Sequence, residues 1–363
     1  MKRIKRFVVL AKRFFFLVRH SGIRYAFHCV HFYIFWNLRL PLLRRYLYAF
    51  EPFPSYLEIE VTTRCNLKCL ICEHTYWNEP NKDMSFEEFV LIVDQFPHLK
   101  MIGLTGIGES FLNRDFLRML AYVKAKDVFV ELYDTFFFID EKTARELIAI
   151  SVDRIFVSLD AATKQTYEKI RACSDFERVT QNVRRLFLLR RQLQSGFPEI
   201  NFHYIVNKEN YHEILPYLKL VYELSGGVST TIQFTRMLHS FAQIEKLFTE
   251  IPGEIIHKVE EEAGRLGIRV VWNEDVPEKK PPIHTCIEWT MPFIFVTGHV
   301  IPCCSGNEAG QRDFQKEHAM GNVFETPFAR IWRGQRYTAL RRQLMRGKVP
   351  VVCRNCCIYR KDR

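Results

Sequence analysis

From Ser55 onward the chain alternates short β-rich runs with amphipathic stretches of helical period, and this alternation leaves few folds open. Strands separated by helices pair in parallel, because each crossover lays a helix on a face of the sheet and hides its apolar stripe there. Strands are expected at 57–61, 101–105, 128–133, 154–159, 201–206 and 230–234, with a further one at 268–272. Helices are expected at 85–96, 114–124, 141–150, 176–194 and 211–223, the first carrying start signals at Ser85, Glu87 and Glu88. Six β/α units point to an α/β fold, a partial (β/α)6 TIM-like barrel with its site at the carboxyl ends of the strands. At 363 residues, 48% of them hydrophobic, the chain can bury such a core and still carry a smaller domain.

The first strand, Leu57-Glu58-Ile59-Glu60-Val61, runs into Thr62-Thr63-Arg64 and then presents Cys65, Cys69 and Cys72, a C-x3-C-x2-C spacing. Three thiolates on one short loop after a strand can converge on a single inorganic cluster. Three protein ligands leave one iron of a four-iron cluster open, and an open coordination position is what separates a catalytic metal centre from a structural one. A structural zinc site and unrelated free thiols are the competing readings of the spacing alone. The triad and its setting resemble the radical S-adenosylmethionine (SAM) superfamily. That resemblance implies a [4Fe-4S] cluster on Cys65, Cys69 and Cys72 whose free iron binds SAM. Reductive cleavage of SAM would then give a 5'-deoxyadenosyl radical that takes a hydrogen atom from substrate.

After the second strand comes Thr105-Gly106-Ile107-Gly108-Glu109-Ser110. Glycines allow close backbone approach, and a carboxylate beside them can pair with an ammonium group; a plain turn is the alternative. The stretch resembles the superfamily's Gly-Gly-Glu motif, with Ile107 in the first glycine position, which implies that Gly108 and Glu109 contact the amino group of SAM. The fourth strand ends Val157-Ser158-Leu159-Asp160, and Arg171 follows in Lys169-Ile170-Arg171. By the same resemblance Ser158 and Asp160 would face the ribose and methionine region and Arg171 the carboxylate side, while a helix cap is the other reading of Asp160. The third strand departs from the pattern, reading Tyr133-Asp134-Thr135-Phe136-Phe137-Phe138 where many relatives carry Thr-Asn-Gly. Cys173 stands where relatives often have glycine, and is weighed as a hydrogen-atom donor against an inert thiol.

The C-terminal cysteines form a second group. Cys286 precedes a hairpin expected at 292–296 and 299–302 around Thr297-Gly298, with Cys303 at its far end. A helical stretch at 327–345 carries Ile331, Trp332, Leu340 and Leu344 as an apolar stripe, and Cys353-Arg354-Asn355-Cys356 follows. Clustered cysteines without a secretory signal read as metal ligation rather than disulfides. Cys286, Cys303, Cys353 and Cys356 can enclose one centre, iron–sulfur or zinc. The arrangement resembles the SPASM/twitch tail of radical SAM enzymes, including Gly321-Asn322-Val323 and Ile331-Trp332, which implies a second, auxiliary [4Fe-4S] cluster. The doublets Cys303-Cys304 and Cys356-Cys357 leave the ligand choice open by one residue. The prolines and lysines of 276–282 read as a linker, giving three parts: a basic helical extension at 1–51, the barrel at 52–275 and a cysteine-rich α+β domain at 276–363.

Charge is distributed unevenly. The first 50 residues hold eleven basic and no acidic side chains, equal to the whole formal charge of +11, so the remainder is balanced and gives no support for nucleic-acid binding. In that segment the basic residues interleave with Phe, Leu and Trp in runs too short and too charged for a span of about twenty apolar residues. They fit a segment lying on an anionic membrane surface, against packing on the barrel or contact with a partner protein. The expected protein is cytoplasmic, at the inner face of the membrane. Its expected activity is hydrogen abstraction followed by oxidation or rearrangement of a small-molecule, glycan or lipid-linked substrate, with an electron donor such as flavodoxin or ferredoxin. The alternatives are a peptide-modifying maturase and a non-catalytic iron–sulfur or zinc protein.

Overall fold

The strand–helix alternation closes on itself only in part. In the computed structural model, which describes residues 53–77, 79–237, 241–272, 286, 288–304, 312–354 and 356, the main sheet has ten strands. The strands are β1 (Tyr56–Ile59), β2 (Lys68–Cys69), β3 (Met101–Gly103), β4 (Phe129–Asp134), β5 (Arg154–Ser158) and β6 (Arg171–Ala172). They continue with β7 (Glu199–Val206), β8 (Thr231–Arg236), β9 (Arg269–Trp272), β10 (Phe293–Ile294), β11 (His299–Ile301) and β12 (Gly321–Asn322). Sheet order is β12-β11-β10-β1-β3-β4-β5-β7-β8-β9, parallel from β10 through β9. Among the described residues the first and last members of this order do not pair with each other. β2 and β6 form a separate antiparallel pair.

The crossovers and the tail supply α1 (Phe86–Val93), α2 (Phe116–Ala125), α3 (Glu141–Ile150), α4 (Lys164–Ile170), α5 (Phe176–Gln192), α6 (Ile214–Ser225), α7 (Gly253–Leu266), α8 (Arg312–Glu317), α9 (Phe328–Trp332) and α10 (Gln335–Met345). The first begins as its sequence indicates: Ser85 Oγ accepts from the Glu88 amide at 3.1 Å, and Glu88 Oε2 accepts from the Ser85 amide at 2.8 Å. This reciprocal cap satisfies two of the orphan donors of a helix start. The rings of Phe202 and Tyr204 pack against Phe187 of α5 and Tyr217 of α6. His203, between them in the strand, must therefore point to the concave face, since strand side chains alternate.

Three differences from the sequence reading have physical causes. The stretch at 327–345 is two helices, because Gly334, a poor helix residue, is extended (φ −70°, ψ 169°) and lets Tyr337 turn back onto Trp332 at 4.6 Å. The helix expected at 211–223 starts one turn later, after a 3-10 turn at Tyr211–Glu213. The tail hairpin joins the barrel sheet, β10 pairing in parallel with β1 (Glu58↔Phe293, Ile59↔Ile294). Ile331, Trp332, Leu340 and Leu344 are buried as the stripe indicated. The segment at 1–51, the linker at 276–282 and Cys357 lie outside the described residues. Among the described residues no helix is long and apolar enough to cross a membrane.

Candidate active site

The cysteine loop leaves β1 at its carboxyl end and is fixed at several points. Thr62 Oγ1 donates to Asp83 Oδ1 at 2.6 Å, the His74 ring nitrogen meets the Thr63 carbonyl at 2.9 Å, and Thr75 Oγ1 donates to the Cys69 carbonyl at 2.7 Å. The β2–β6 pair then clips it to the chain after α4: Cys69 lies opposite Arg171, and the Leu70 amide donates to the Ile170 carbonyl at 2.7 Å. Cys65 and Cys72 are half-buried and Cys69 is buried. Burial pushes all three thiols up, Cys72 to about 11.

The loop after β3 packs against the backbone of the cysteine segment. A Cβ on Gly108 would strike the Thr62 carbonyl and approach the Arg64 carbonyl to 2.7 Å, so its glycine is required by protein packing. Glu109 follows, its amide donating to that Arg64 carbonyl at 2.7 Å. Its carboxylate is buried; Oε2 accepts from Thr135 Oγ1 at 2.7 Å, and Oε1 meets no N–H or hydroxyl donor. Asp134 at the end of β4 accepts from the Phe136 amide at 2.6 Å, and its carboxyl lies within hydrogen-bond reach of the Glu109 carboxylate. Burial, then the charge of Glu109, holds Asp134 well above the usual carboxylate range. The third-strand departure thus has a definite shape. Phe136, with φ 62°, adopts the left-handed conformation that glycine takes most easily.

Ser158 ends β5 on the concave face, beside His203 in register. Asp160, 0% exposed, is fully engaged. Oδ2 takes Arg171 Nε at 2.7 Å and Nη2 at 2.5 Å, and Oδ1 takes the Ile205 amide at 2.7 Å. It is not a helix cap, since Thr163 caps α4. Burial would lower the Arg171 pKa, but Asp160 and Cys69 outweigh it and raise it. Cys173 is exposed with φ 69°, in keeping with its glycine-like position.

Sequence reasoning missed the rest of the concave wall. Tyr133 stacks on Phe156 (4.6 Å, 8° between planes), meets His203 edge-on at 5.2 Å, and reaches Gln233 Oε1 with its hydroxyl at 3.4 Å. A ring nitrogen of His203 lies 2.9 Å from Thr235 Oγ1. Burial lowers the His203 pKa to about 4, so the imidazole is neutral. Below this layer Arg154 pairs with Glu131 and Glu199, each at 3.1 Å. The available signal was period-two polarity within parallel strands, whose faces are usually apolar on both sides.

In the tail, Cys303 and Cys356 are buried and Cys353 is half-buried, the Cys356 amide turning back onto the Cys353 carbonyl at 3.1 Å. Cys303 is an electrostatic neighbour of Tyr337, whereas Cys304 hydrogen-bonds with Glu58 of β1, so the two members of that doublet face different groups. Cys286 is half-buried and falls outside the compact unit that holds the others.

A model of the radical SAM superfamily matches residues 59–221, and one of an iron–sulfur cluster-binding domain, SPASM, matches residues 286–357. A tungsten-containing aldehyde ferredoxin oxidoreductase cofactor-modifying protein of Pyrococcus furiosus is 28% identical over 314 residues, 79% of this chain and 83% of that protein. A probable GTP 3',8-cyclase of Saccharolobus islandicus is 26% identical over 166 residues, 45% of this chain and 52% of that one. Among solved structures, Streptococcus suis SuiB bound to S-adenosylmethionine shares the fold with a TM-score of 0.60 at 14% identity, covering 80% of this chain and 68% of that chain. The structure of anSMEcpe with bound AdoMet gives 0.61 at 17%, covering 84% and 85%. The cofactors that go with the two matched domains are a [4Fe-4S] cluster, SAM and further iron–sulfur chemistry in the tail. With a cysteine triad after the first barrel strand and the two domains matched in order, this chain belongs to the radical SAM superfamily of enzymes and carries a SPASM iron–sulfur domain.

Proposed function

We propose that Cys65, Cys69 and Cys72 hold the [4Fe-4S] cluster, and that Gly108, Glu109, Ser158 and Arg171 line the SAM site, with Asp160 acting through Arg171. In this reading Cys286, Cys303, Cys353 and Cys356 hold an auxiliary cluster, within a chain organised as 1–51, 52–275 and 276–363. The residues fit these groups. Three cysteines on one loop, with Cys69 clipped opposite Arg171, suit a cluster that three protein ligands hold. The buried Glu109 carboxylate, which meets Thr135 and the Asp134 carboxyl but whose Oε1 takes no N–H or hydroxyl donor, is an acceptor that an ammonium group would join. Bound there, the cluster and SAM supply one-electron chemistry that removes a hydrogen atom from a substrate carbon.

The substrate we infer is a small, polyhydroxylated and largely uncharged molecule: a carbohydrate, a glycolipid or a lipid-linked sugar, oxidised or rearranged at one carbon. The observation that carries this is the concave wall of Tyr133, Phe156, Ser158, His203, Gln233 and Thr235. It presents hydroxyls, an amide and a neutral imidazole beside an aromatic pair. The charges around it are paired: Arg171 with Asp160, the two that act on His203, and Arg154 with Glu131 and Glu199. Neutral hydrogen-bonding groups around an aromatic face suit a ring bearing hydroxyls better than a free anion. A flavodoxin or ferredoxin would supply electrons, and the basic segment at 1–51 would place the enzyme on the cytoplasmic face of an anionic membrane.

The test is anaerobic reconstitution, reduction with SAM, and chromatography of 5'-deoxyadenosine over a panel of sugars, polyprenyl-linked sugars and peptides. Stimulation by the sugar panel, lost in Cys65/Cys69/Cys72→Ala and weakened about tenfold or more in His203→Ala, is the expected result. Stimulation by peptides alone would overturn the substrate class. A cluster-loaded protein that never changes its reduced-state EPR signal with SAM would overturn the site.

A further inference from the structure

One buried carboxylate stands at the joint of four segments. Glu60, immediately after β1, is 0% exposed. Its amide donates to the Ile294 carbonyl of the tail hairpin at 2.9 Å, and its Cγ fills the space a Cβ on Gly106 would need, 2.6 Å away. Oε2 accepts from the Ile107 amide at 3.3 Å and from Arg312 Nη2 at 2.5 Å, while Oε1 accepts from the Val296 amide at 3.4 Å. The loop that carries Gly108 and Glu109 is therefore held from beneath by a carboxylate whose counter-charge comes from α8, 252 positions along the chain.

Arg312 is 5% exposed, and its guanidinium lies 3.8 Å over the Phe295 ring and 5.0 Å from Trp77, just beyond the cysteine loop. Among the described residues Nε and Nη1 have no hydrogen-bond partner and Glu60 is the carboxylate Arg312 pairs with, Glu73 feeling its charge from farther off. One turn on, Lys316 pairs with Glu79 at 2.5 Å. Thus α8 grips the chain on both sides of Trp77. A buried ion pair with unmet donors is a weak way to gain stability, whereas removing one partner strands the other charge. Such pairs are better suited to fixing one arrangement among several.

We propose that Arg312 and Glu60 form a latch through which the tail sets the 105–109 loop, making Arg312 a positioning residue for SAM binding. With Arg312 in place the carboxylate stays buried and keeps the Ile107 amide. Without it the carboxylate is left buried with no counter-charge, turns toward water and releases the loop. This rests on the reading that the loop lines the SAM site.

The experiment measures equilibrium SAM binding and hydrogen exchange at the Ile107 amide in cluster-loaded protein. Variants are Arg312→Met, Arg312→Lys, Glu60→Gln/Arg312→Met and two controls. Arg312→Met should weaken SAM binding at least tenfold and speed Ile107 exchange by a similar factor. The double variant should recover much of both, because an amide oxygen still accepts from Ile107 with no stranded charge. Arg341→Met removes another buried tail arginine, which donates to the Trp332 carbonyl at 3.0 Å, and should leave both quantities near wild type. Equal losses in Arg341→Met, or no recovery in the double variant, would reduce the effect to general tail stability and overturn the latch. Should Arg312→Met fail to fold, Arg312→Lys carries the comparison, keeping charge but not the planar fork. Glu109→Gln separates the two ideas. If it leaves SAM affinity unchanged, the loop reading fails, while Ile107 exchange still decides the latch.

Discussion

Asp160 and Arg171 show how a motif residue can work at one remove. The carboxylate has no free oxygen for a ligand and instead fixes the guanidinium opposite Cys69. Phe136 shows the reverse case: a side chain wholly buried in the core sits on backbone that favours glycine, a strain of about 1–2 kcal/mol that packing must offset. Neither was visible in the sequence, because residue type does not reveal who already holds an oxygen or which φ a buried ring accepts. His203 gives a residue-scale prediction. Burial lowers its pKa to about 4, while the unfolded chain keeps the proton up to about 6.5. Between those values the unfolded state binds more protons, so the contribution of the neutral imidazole is complete above about pH 6.5 and drains as pH falls toward 4. Thermal midpoints measured against pH should fall more steeply across that window in wild type than in His203→Gln. Parallel curves would mean the imidazole titrates as it does in water.

At the level of elements, the short β2–β6 clip deserves more weight than its length suggests. Its two-residue strands bring the cysteine loop and Arg171 together through main-chain bonds, with the Leu70 amide extending the clip to Ile170. Leu70→Pro removes that donor and restricts Cys69, the residue before it. We expect iron per chain after reconstitution to fall to about half or less, with the barrel's circular dichroism retained; full iron loading would show that the loop is held by its side-chain bonds alone. The parallel strands and capped helices were legible in the sequence because their signals are local: Ser85 and Glu88 lie three residues apart, and each strand is a short run rich in β-branched and aromatic residues. The clip was not, since Lys68-Cys69 and Arg171-Ala172 carry no strand signal and pair only after α4 brings them together. The concave wall was half legible, as alternation in β7 and β8 that parallel strands seldom need.

For the whole molecule, the tail is the revealing part. Its cysteine pattern, hairpin and apolar stripe mark it in the sequence as a unit of its own. Yet β10 lies beside β1 in the same sheet, Phe328 packs on Phe96 at 4.4 Å and Phe53 at 5.5 Å, and Arg312 pairs with Glu60 just after β1. Those partners are more than two hundred residues apart, so no local pattern could place them. Separate stability requires separate cores, and here apolar surface is shared across the supposed boundary. Barrel and tail should therefore unfold as one cooperative step. In calorimetry of the cluster-free protein we expect a single transition whose calorimetric and van't Hoff enthalpies agree. Glu60→Gln/Arg312→Met should shift that transition without splitting it, because the β1–β10 pairing and the Phe53–Phe96–Phe328 contact remain. Two resolved transitions in wild type would mean the tail docks onto a finished barrel. The sheet would then be a contact surface between independent domains, and what the tail sets at the 105–109 loop would be open to exchange.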